Sequence, residues 1–341
     1  MDLNLILLIV GLILAFIMAM NLGGNDAANP TSVVVGAGVM SIKKALVYFS
    51  IFTLAGALLQ GFMVMKTIGK DIVPMIDIAG AFSIILAANI WIFFATIKGM
   101  AISTTHSIIC AVIGYGLMKF GISGFNINVL GIIAISWITS PLCSLIVAFV
   151  FYRIIFNYAQ KHQNRTERTN RLFKILIIVS LCFSAYSFGA NDVANATGVY
   201  LTITTNVGQI TDTISMVLLT LFGVLGIIVG GMIFSPKVIN TLAFRVTRLD
   251  LPTGLAAGIS NAIVVYLFTT IPYMLWGFGL PISTSYAAVG SILGASLARS
   301  RKSISKGISF SLFSYWIITV PINIMIAGGI YYALNLFILT G

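Results

Sequence analysis

Long runs of apolar residues, separated by short polar segments, extend along the whole chain. A membrane-spanning helix requires about 20 mainly apolar residues, and most of these runs reach that length. Two of them, 3–41 and 175–205, are interrupted by polar residues. The runs lie at 3–41, 45–65, 72–98, 102–118, 127–152, 175–205, 214–235, 253–280, 282–298 and 307–340. The pattern predicts an all-α polytopic membrane protein with interrupted helices in a lipid bilayer.

Composition supports this prediction and excludes other classes. Of the 341 residues, 59% are hydrophobic and 8% are charged, against about 45–50% and about 25% in a soluble domain. The 19 lysines and arginines give a net charge of +11, but they lie in short scattered clusters without a basic face. We therefore expect neither a soluble enzyme nor a partner for nucleic acid. Three cysteines and two histidines, far apart, offer no disulfide framework and no metal cluster.

A basic segment divides the chain into two similar halves. Residues 153–174 contain six lysines and arginines and a single acid, Glu167. We interpret residues 1–152 as an N-terminal transmembrane repeat, 153–174 as a cytoplasmic linker and 175–341 as a C-terminal transmembrane repeat.

Two short motifs occur once in each half and in the same order. Gly-Gly-Asn-Asp-Ala-Ala-Asn at 23–29 returns as Gly-Ala-Asn-Asp-Val-Ala-Asn at 189–195. Gly-Met-Ala-Ile-Ser-Thr-Thr at 99–105 returns as Gly-Leu-Pro-Ile-Ser-Thr-Ser at 279–285. Two unrelated motifs repeated in one order predict an internal duplication.

Basic residues predict that the two halves have opposite orientations in the membrane. Cytoplasmic loops carry an excess of lysine and arginine. With the linker inside, the basic segments 43–44, 237–248 and 299–306 also lie inside, whereas Lys66, Lys70 and Lys119 lie outside. Each half then crosses an odd number of times, so the repeats are inverted, and hairpins at 72–118 and 253–298 would enter from opposite faces.

The repeated Asn-Asp motif places an acid inside each of the two interrupted runs. An ionisable group at membrane depth is costly and is by default a candidate for function. We expect the preceding glycines to break the helix and expose carbonyls, so that oxygen atoms surround a hard cation such as sodium. The alternative is that these residues only cap a helix start. The candidate sodium ligands are Asn25, Asp26, Asn29, Asn191, Asp192 and Asn195.

The second motif carries hydroxyls at the start of a helix, which suits an anion. Free backbone N–H groups and the positive end of the helix dipole favour a negative charge there. Ordinary capping and helix packing through hydroxyls is the alternative. Lys98 and His106 are possible accessory residues beside this motif. The candidate ligands of a small tetrahedral oxyanion are Ser103, Thr104, Thr105, Ser283, Thr284 and Ser285.

Together the motifs resemble those of the inorganic phosphate transporter (Pit) family. The family signature Gly-Ala-Asn-Asp-Val-Ala-Asn is intact at 189–195 and looser at 23–29. The family pattern Gly-x-Pro-x-Ser-Thr-Thr-His is met from Gly99 to His106, with Ala101 in place of proline. The resemblance implies an inverted-repeat permease that moves phosphate with sodium or protons, as a homodimer, with phosphate at the hydroxyl motifs. The retained Asn-Asp pairs favour phosphate over the sulfate carried by some relatives.

We therefore expect a sodium-coupled phosphate symporter of the cell membrane, in which one repeat moves against the other. A proton-coupled permease, or one for sulfate or another oxyanion, on the same fold remains open. An anion channel is a further alternative, although conduction requires weak binding at several sites. No acid–base pair or activated nucleophile indicates an enzyme, and we expect no cofactor besides the coupling ions.

Overall fold

In the computed structural model, every regular element is helical within the residues that the structure describes, which are 3–161, 166–300, 302 and 304–340. Eight helical segments among them are long and apolar enough to cross a membrane. The prediction of an all-α, multi-pass membrane protein is confirmed. Residues 162–165 of the basic linker and Arg301, which entered the charge assignment, lie outside the described residues.

Over the described residues, the same order of seven α-helices occurs in each half of the chain. A short helix in each half, Phe62–Lys66 in the first and Pro236–Asn240 in the second, continues into a π-helical turn, Thr67–Asp71 and Thr241–Arg245 respectively. The first half forms α1 (Leu3–Asp26), α2 (Ala28–Gly36), α3 (Ile42–Gln60), α4 (Phe62–Lys66), α5 (Ile78–Ile97), α6 (Thr104–Phe120) and α7 (Ile127–Lys161). The second half forms α8 (Thr166–Thr197), α9 (Leu201–Gly208), α10 (Asp212–Phe234), α11 (Pro236–Asn240), α12 (Leu251–Trp276), α13 (Thr284–Arg299) and α14 (Lys306–Thr340).

An aspartate closes the base of a helical hairpin in each half. Asp77 caps α5 by accepting a hydrogen bond of 2.6 Å from the backbone N–H of Gly80, and it pairs with Lys119 near the end of α6. Asp250 caps α12 in the same way and pairs with Arg299 at the end of α13, 3.2 Å away. Each carboxylate thus satisfies a helix start and joins the two legs of its hairpin.

Helix α14 shows that the bases of the two hairpins lie at opposite ends of the molecule. The ring of Tyr331 packs 4.9 Å from that of Tyr115, which lies one turn before Lys119. Near the other end of α14, Ser305 donates a hydrogen bond of 3.0 Å to the carbonyl of Val246, close to Asp250. About 37 Å of helix separates Lys306 from Tyr331. The hairpins therefore enter from opposite ends and their tips converge.

The glycines that precede the Asn-Asp motifs allow close helix crossings. A Cβ atom at Gly23 of α1 would collide with the carbonyl oxygen of Ile227 in α10, and one at Gly189 of α8 would collide with that of Thr53 in α3. The expectation that the glycines break the helix is wrong, because α1 continues to Asp26 and α8 continues to Thr197. The missing side chains bring a neighbouring backbone close instead.

The helix interruptions follow the two acids. In the first half, Ala27 separates α1 from α2. In the second half, α8 passes beyond the whole motif before a 3₁₀ turn over Gly198–Tyr200 leads into α9. Both acids therefore lie on the last turns of long helices, directly before a change in helix path.

The closest packing joins helices of different halves. Gly294 of α13 lies against the backbone of Leu145 in α7, and Gly114 of α6 lies against the backbone of Ile324 in α14. Helix α7 packs mainly on α12 and α13, and α14 packs mainly on α5 and α6. One bundle consequently contains α1, α5, α6, α10 and α14, and the other contains α3, α7, α8, α12 and α13.

Candidate functional site

The two hairpin tips meet at the Asn-Asp motifs in the interior of the molecule. Thr105 at the first tip donates a hydrogen bond of 2.9 Å to the carbonyl oxygen of Ile282 at the second tip. Asp26 and Asp192 beside them have no solvent-exposed surface. The tips and the acids, which the sequence separates widely, thus form one buried polar cluster.

Asp26 accepts hydrogen bonds from both tips. Thr104 of the first tip donates to one carboxylate oxygen at 2.6 Å. Ser285 of the second tip donates to the other oxygen at 2.8 Å. The carboxylate at the end of α1 therefore holds the two hairpins against each other.

Asp192 makes the corresponding contacts from α8. The hydroxyl of Thr105 of the first tip, whose single proton is shared with the carbonyl of Ile282, lies 3.4 Å from its Oδ1 atom, and the hydroxyl of Thr284 of the second tip lies close to this carboxylate. Asn195 donates to the same Oδ1 atom at 2.8 Å. Each acid is thus contacted by one hydroxyl from its own half and one from the other half.

The last asparagine of each motif contacts the hairpin of the opposite half. The amide of Asn29 lies 3.2 Å from the hydroxyl of Thr284 and 3.1 Å from that of Ser285, and donates to both. The amide of Asn195 donates to Thr105 at 3.0 Å. Like the two acids, each of these asparagines therefore contacts the hairpin of the other half.

The first asparagine of each motif fixes the backbone that leads to the tip of its own half. Asn25 donates to the hydroxyl of Thr96 and to the carbonyl of Met100, and its own oxygen accepts the N–H of Ile102 at 3.1 Å. Asn191 donates to Thr269 at 2.7 Å and to the carbonyl of Leu280 at 2.8 Å. Two of the predicted sodium ligands, Asn25 and Asn191, therefore use their side-chain NH₂ groups to hold the segments that lead to the tips.

Thr96 and Thr269 were not identified from the sequence. Each is an isolated hydroxyl in an apolar helix, so no pattern distinguishes it from other threonines. Their role becomes visible only through the loop that each one anchors.

The first serine of each tip caps a helix. The hydroxyl of Ser103 accepts the backbone N–H of His106, and that of Ser283 accepts the N–H of Tyr286, both at 3.1 Å. Ser103 also contacts the Nδ1 atom of the His106 ring. These two serines lie one residue before the hydroxyls that reach the carboxylates.

His106 forms part of an aromatic stack behind the tips. Its ring centroid lies 3.7 Å from that of Trp137 and 4.5 Å from that of Tyr286. Tyr286 stacks in turn on Trp316, whose indole N–H donates to the carbonyl of Ala101 at 3.0 Å. The stack supports the backbone of the first tip, and Trp316 was not identified from the sequence.

Lys98 lies outside the cluster. It is exposed at the end of α5, and its ammonium lies 5.8 Å from the ring centroid of Phe94. Among the described residues, the three ion pairs all lie elsewhere, so neither Asp26 nor Asp192 is paired with a lysine or arginine. The cluster holds two carboxylates and no cationic side chain.

Several buried oxygen atoms of the cluster accept no hydrogen bond. They are Oδ1 of Asn29, Oδ1 of Asn191, Oδ2 of Asp192 and Oδ1 of Asn195. A buried acceptor without a donor is costly. Carboxylate and amide oxygens are the ligands of hard cations, so this donor set fits a small cation such as sodium.

Comparison with known proteins identifies the family. The model of the "Phosphate transporter family", PHO4, matches residues 22–327. A "Putative phosphate permease" of Pyrococcus horikoshii is 28% identical, over 96% of this chain and 98% of the relative. The chloroplastic inorganic phosphate transporter 2-1 of Arabidopsis thaliana is 24% identical, over 93% of this chain and 70% of the relative.

A solved structure has the same fold. It is described as the sodium-dependent phosphate transporter, and it matches with a TM-score of 0.82 and 27% identity. The match covers 97% of this chain and 99% of that one. With a family model that matches most of the chain, these findings show that the protein is a multi-pass membrane transporter and belongs to the phosphate transporter family.

Proposed function

We propose that this chain is a symporter that carries inorganic phosphate together with sodium, by alternating access. The observation that carries the proposal is the shared cluster, in which each buried carboxylate is contacted by hydroxyls from both hairpin tips. A site built in this way can bind a cation and an anion side by side. Proton coupling is the alternative, because protonation could neutralise the same carboxylates.

Sodium would bind at the acids and at the oxygen atoms that lack donors. In the first half, Asp26 and Oδ1 of Asn29 supply oxygens, and in the second half Asp192 and Oδ1 of Asn195 supply them. A cation there would neutralise the charge of a carboxylate that is buried in a low-dielectric interior without a basic partner. The solved relative described as a sodium-dependent phosphate transporter supports this choice of ion.

Phosphate would bind at the hydroxyls of the two tips, beside the first turns of α6 and α13. The hydroxyls of Thr104 and Ser285 now donate to Asp26. When sodium takes over the carboxylate oxygens, these hydroxyl protons become free to point at an anion. The helix N-termini add backbone N–H groups and the positive ends of two dipoles.

Coupling between the ions follows from the charges. Two carboxylates without a basic partner oppose the approach of an anion, so phosphate binding is unfavourable until cations have bound. An anion in the site conversely strengthens the attraction for the cations. This reciprocity is the thermodynamic basis of symport.

The acceptor-rich site favours phosphate over sulfate. At neutral pH phosphate still carries at least one O–H group, whereas sulfate carries none. The oxygens of Asn29, Asp192 and Asn195 without donors each have two lone pairs, so they can hold sodium with one and accept that proton with the other. Sulfate would face the same oxygens with no donor, which raises the free energy of binding.

Alternating access would take place between the two mixed bundles. Each bundle contains a hairpin from one half and the long helix α7 or α14 that packs on it. The hydrogen bond from Ser285 of the second tip to Asp26 crosses the boundary between the bundles, whereas the one from Thr104 lies within the bundle of α1. We therefore propose that these two mixed bundles move against each other. This replaces the expectation that one sequence half moves against the other.

The recurrence of seven helices and the opposite bases of the hairpins support an inverted repeat. They also support the division into residues 1–152, 153–174 and 175–341. The chain is an integral multi-pass membrane protein, expected in the plasma membrane, and assembly as a homodimer, which the resemblance implies, stays a prediction.

Uptake of radiolabelled phosphate into proteoliposomes tests the proposed function. We expect saturable, concentrative uptake when sodium is outside, a loss of uptake when choline replaces sodium, and little competition from excess sulfate. Uptake driven by an imposed pH gradient without sodium would show proton coupling instead. Passive flux that neither saturates nor concentrates would indicate a channel and contradict the proposal.

A further inference from the structure

Lys237 packs against the backbone on both sides of Lys98, near the end of the molecule that carries Arg299. Lys237 of α11 donates a hydrogen bond of 2.5 Å to the carbonyl of Ile97, the residue before Lys98. A Cβ atom at Gly99 would lie 3.1 Å from Cγ of Lys237, so the stem of this lysine packs along the backbone that follows Lys98. Both lysines are exposed. They form a paired cationic patch at the junction of α5 and α11.

This patch has no acidic partner in the described part of the chain. The three ion pairs use Lys70, Lys119 and Arg299. Lys98 instead extends over the ring of Phe94, and Lys237 reaches only a backbone carbonyl. Two exposed ammonium groups on neighbouring segments, neither with a carboxylate partner, favour an anionic ligand.

An apolar groove lies between the membrane-spanning helices that lead to the patch. The groove has a volume of about 330 Å³ and lies between α1, α5 and α10. Phe93 lies five residues before Lys98, and Phe234 lies three residues before Lys237. The apolar side chains of its wall are Ile17, Met20, Ile90, Phe93 and Phe234, and Asn21 and Asn89, which hydrogen bond to each other, complete the lining.

We infer that Lys98 and Lys237 bind the headgroup of an anionic phospholipid whose acyl chain lies in this groove. The match is between charge and shape, since Lys98 and Lys237 follow the groove residues Phe93 and Phe234 by five and three positions, just beyond the ends of α5 and α10. Basic pockets between transmembrane helices on the cytoplasmic side bind anionic headgroups in this manner. The end with Arg299 is the more basic end of the chain and is the end predicted to face the cytoplasm. The inference requires only that the chain spans a membrane, and it does not depend on which ions are transported.

The geometry also distinguishes this site from the phosphate site. Free phosphate would gain the two ammonium groups but would leave the groove unused. Phe93 and Phe234, 49% and 40% exposed, offer apolar contact only to a ligand with a hydrocarbon chain. We therefore commit to a lipid and not to inorganic phosphate.

Native mass spectrometry of the purified protein tests the inference with phosphatidylglycerol and phosphatidylcholine as probes. We expect preferential retention of phosphatidylglycerol by the wild-type chain. The double variant Lys98→Ala/Lys237→Ala should bind it roughly 30-fold more weakly, and Lys98→Arg/Lys237→Arg should restore the binding. Ile90→Trp, which fills the groove without a change of charge, should weaken the binding of both lipids.

The matched control is the double variant Lys43→Ala/Lys44→Ala, which removes two exposed lysines that the charge distribution predicts at the same end and that do not line the groove. It should retain phosphatidylglycerol like the wild type. An equal loss in this control would show that only the general charge of that end matters and would overturn the inference. Unchanged retention in the Lys98/Lys237 variant, or displacement of the lipid by inorganic phosphate, would overturn it as well.

Discussion

Ser285 donates a hydrogen bond of 2.8 Å to the carboxylate of Asp26, although 259 positions of sequence separate the two residues. The acid lies at the end of α1 in the first half, and the serine lies in the first turn of α13, the second leg of the second hairpin. This contact joins the two candidate ion sites into one. A change at either residue should therefore affect both the cation and the anion.

The two acids should be indispensable for coupled transport. Asp26→Asn and Asp192→Asn keep the size of the side chain but remove its charge and replace one acceptor oxygen by an NH₂ donor. That donor would face hydroxyls that themselves donate. We expect sodium-dependent phosphate uptake to be lost while the protein still inserts, with the exposed Glu167→Gln as control. Wild-type uptake in both variants would contradict the assignment.

The threonines of the two tips should determine the affinity for phosphate. A lost hydrogen bond to a charged group costs roughly 1.5–3 kcal/mol, or about 10- to 150-fold in affinity. Thr104→Ala and Thr284→Ala should each raise the apparent phosphate constant at least tenfold, and the double variant should be worse. Serine at either position should restore much of the affinity because it retains the hydroxyl.

Lys98→Ala serves as the comparison for the threonines in the same uptake assay. Because Lys98 is exposed and lies outside the cluster, its removal should leave the apparent phosphate constant near the wild-type value. If both threonine variants bind phosphate normally while Lys98→Ala alone abolishes binding, the anion lies on the lysine and not between the tips.

The inverted arrangement predicts that equivalent loops lie on opposite sides of the membrane. Ile122, 76% exposed in the loop after α6, and Lys302, exposed in the loop after α13, are suitable positions for single cysteines. On a background without Cys110, Cys143 and Cys182, an impermeant thiol reagent should label them from opposite sides. Labelling of both from one side would require parallel repeats.

The glycines at the helix crossings predict a pair of stability effects. Gly23→Ala would push a methyl group into the backbone of Ile227, and overpacking of this kind costs about 1–3 kcal/mol. A methyl group added at Gly131 of α7 would meet no atom within 4 Å, so Gly131→Ala should be neutral or slightly stabilising. Thermal unfolding of the purified protein in detergent measures both. An equal melting temperature for Gly23→Ala and wild type would refute the close crossing.

The sequence is sufficient to predict the helices and the two motifs, because membrane helices depend on local hydropathy and an intramembrane acid is rare. It does not reveal which tip each acid contacts. Asp26 and Thr104 lie in one half, but the contact of Asp26 with Ser285 depends on how the hairpins enter from opposite ends.

The sequence also does not reveal that α1 continues through Gly23 without a break. Two glycines in a helix are compatible with a break or with a close crossing, and only the position of α10 decides between them. The exchange of α7 and α14 between the halves is likewise a property of packing, since both helices are apolar on most of their surface.

Equilibrium binding to the purified protein tests the shared site most directly. Phosphate affinity is measured at several sodium concentrations, and sodium affinity is measured with and without phosphate. We expect each ion to strengthen the binding of the other by the same factor, about 5- to 150-fold for a typical coupling, and we expect Asp192→Asn to abolish the effect. Equal phosphate affinity in sodium and in choline would contradict the account.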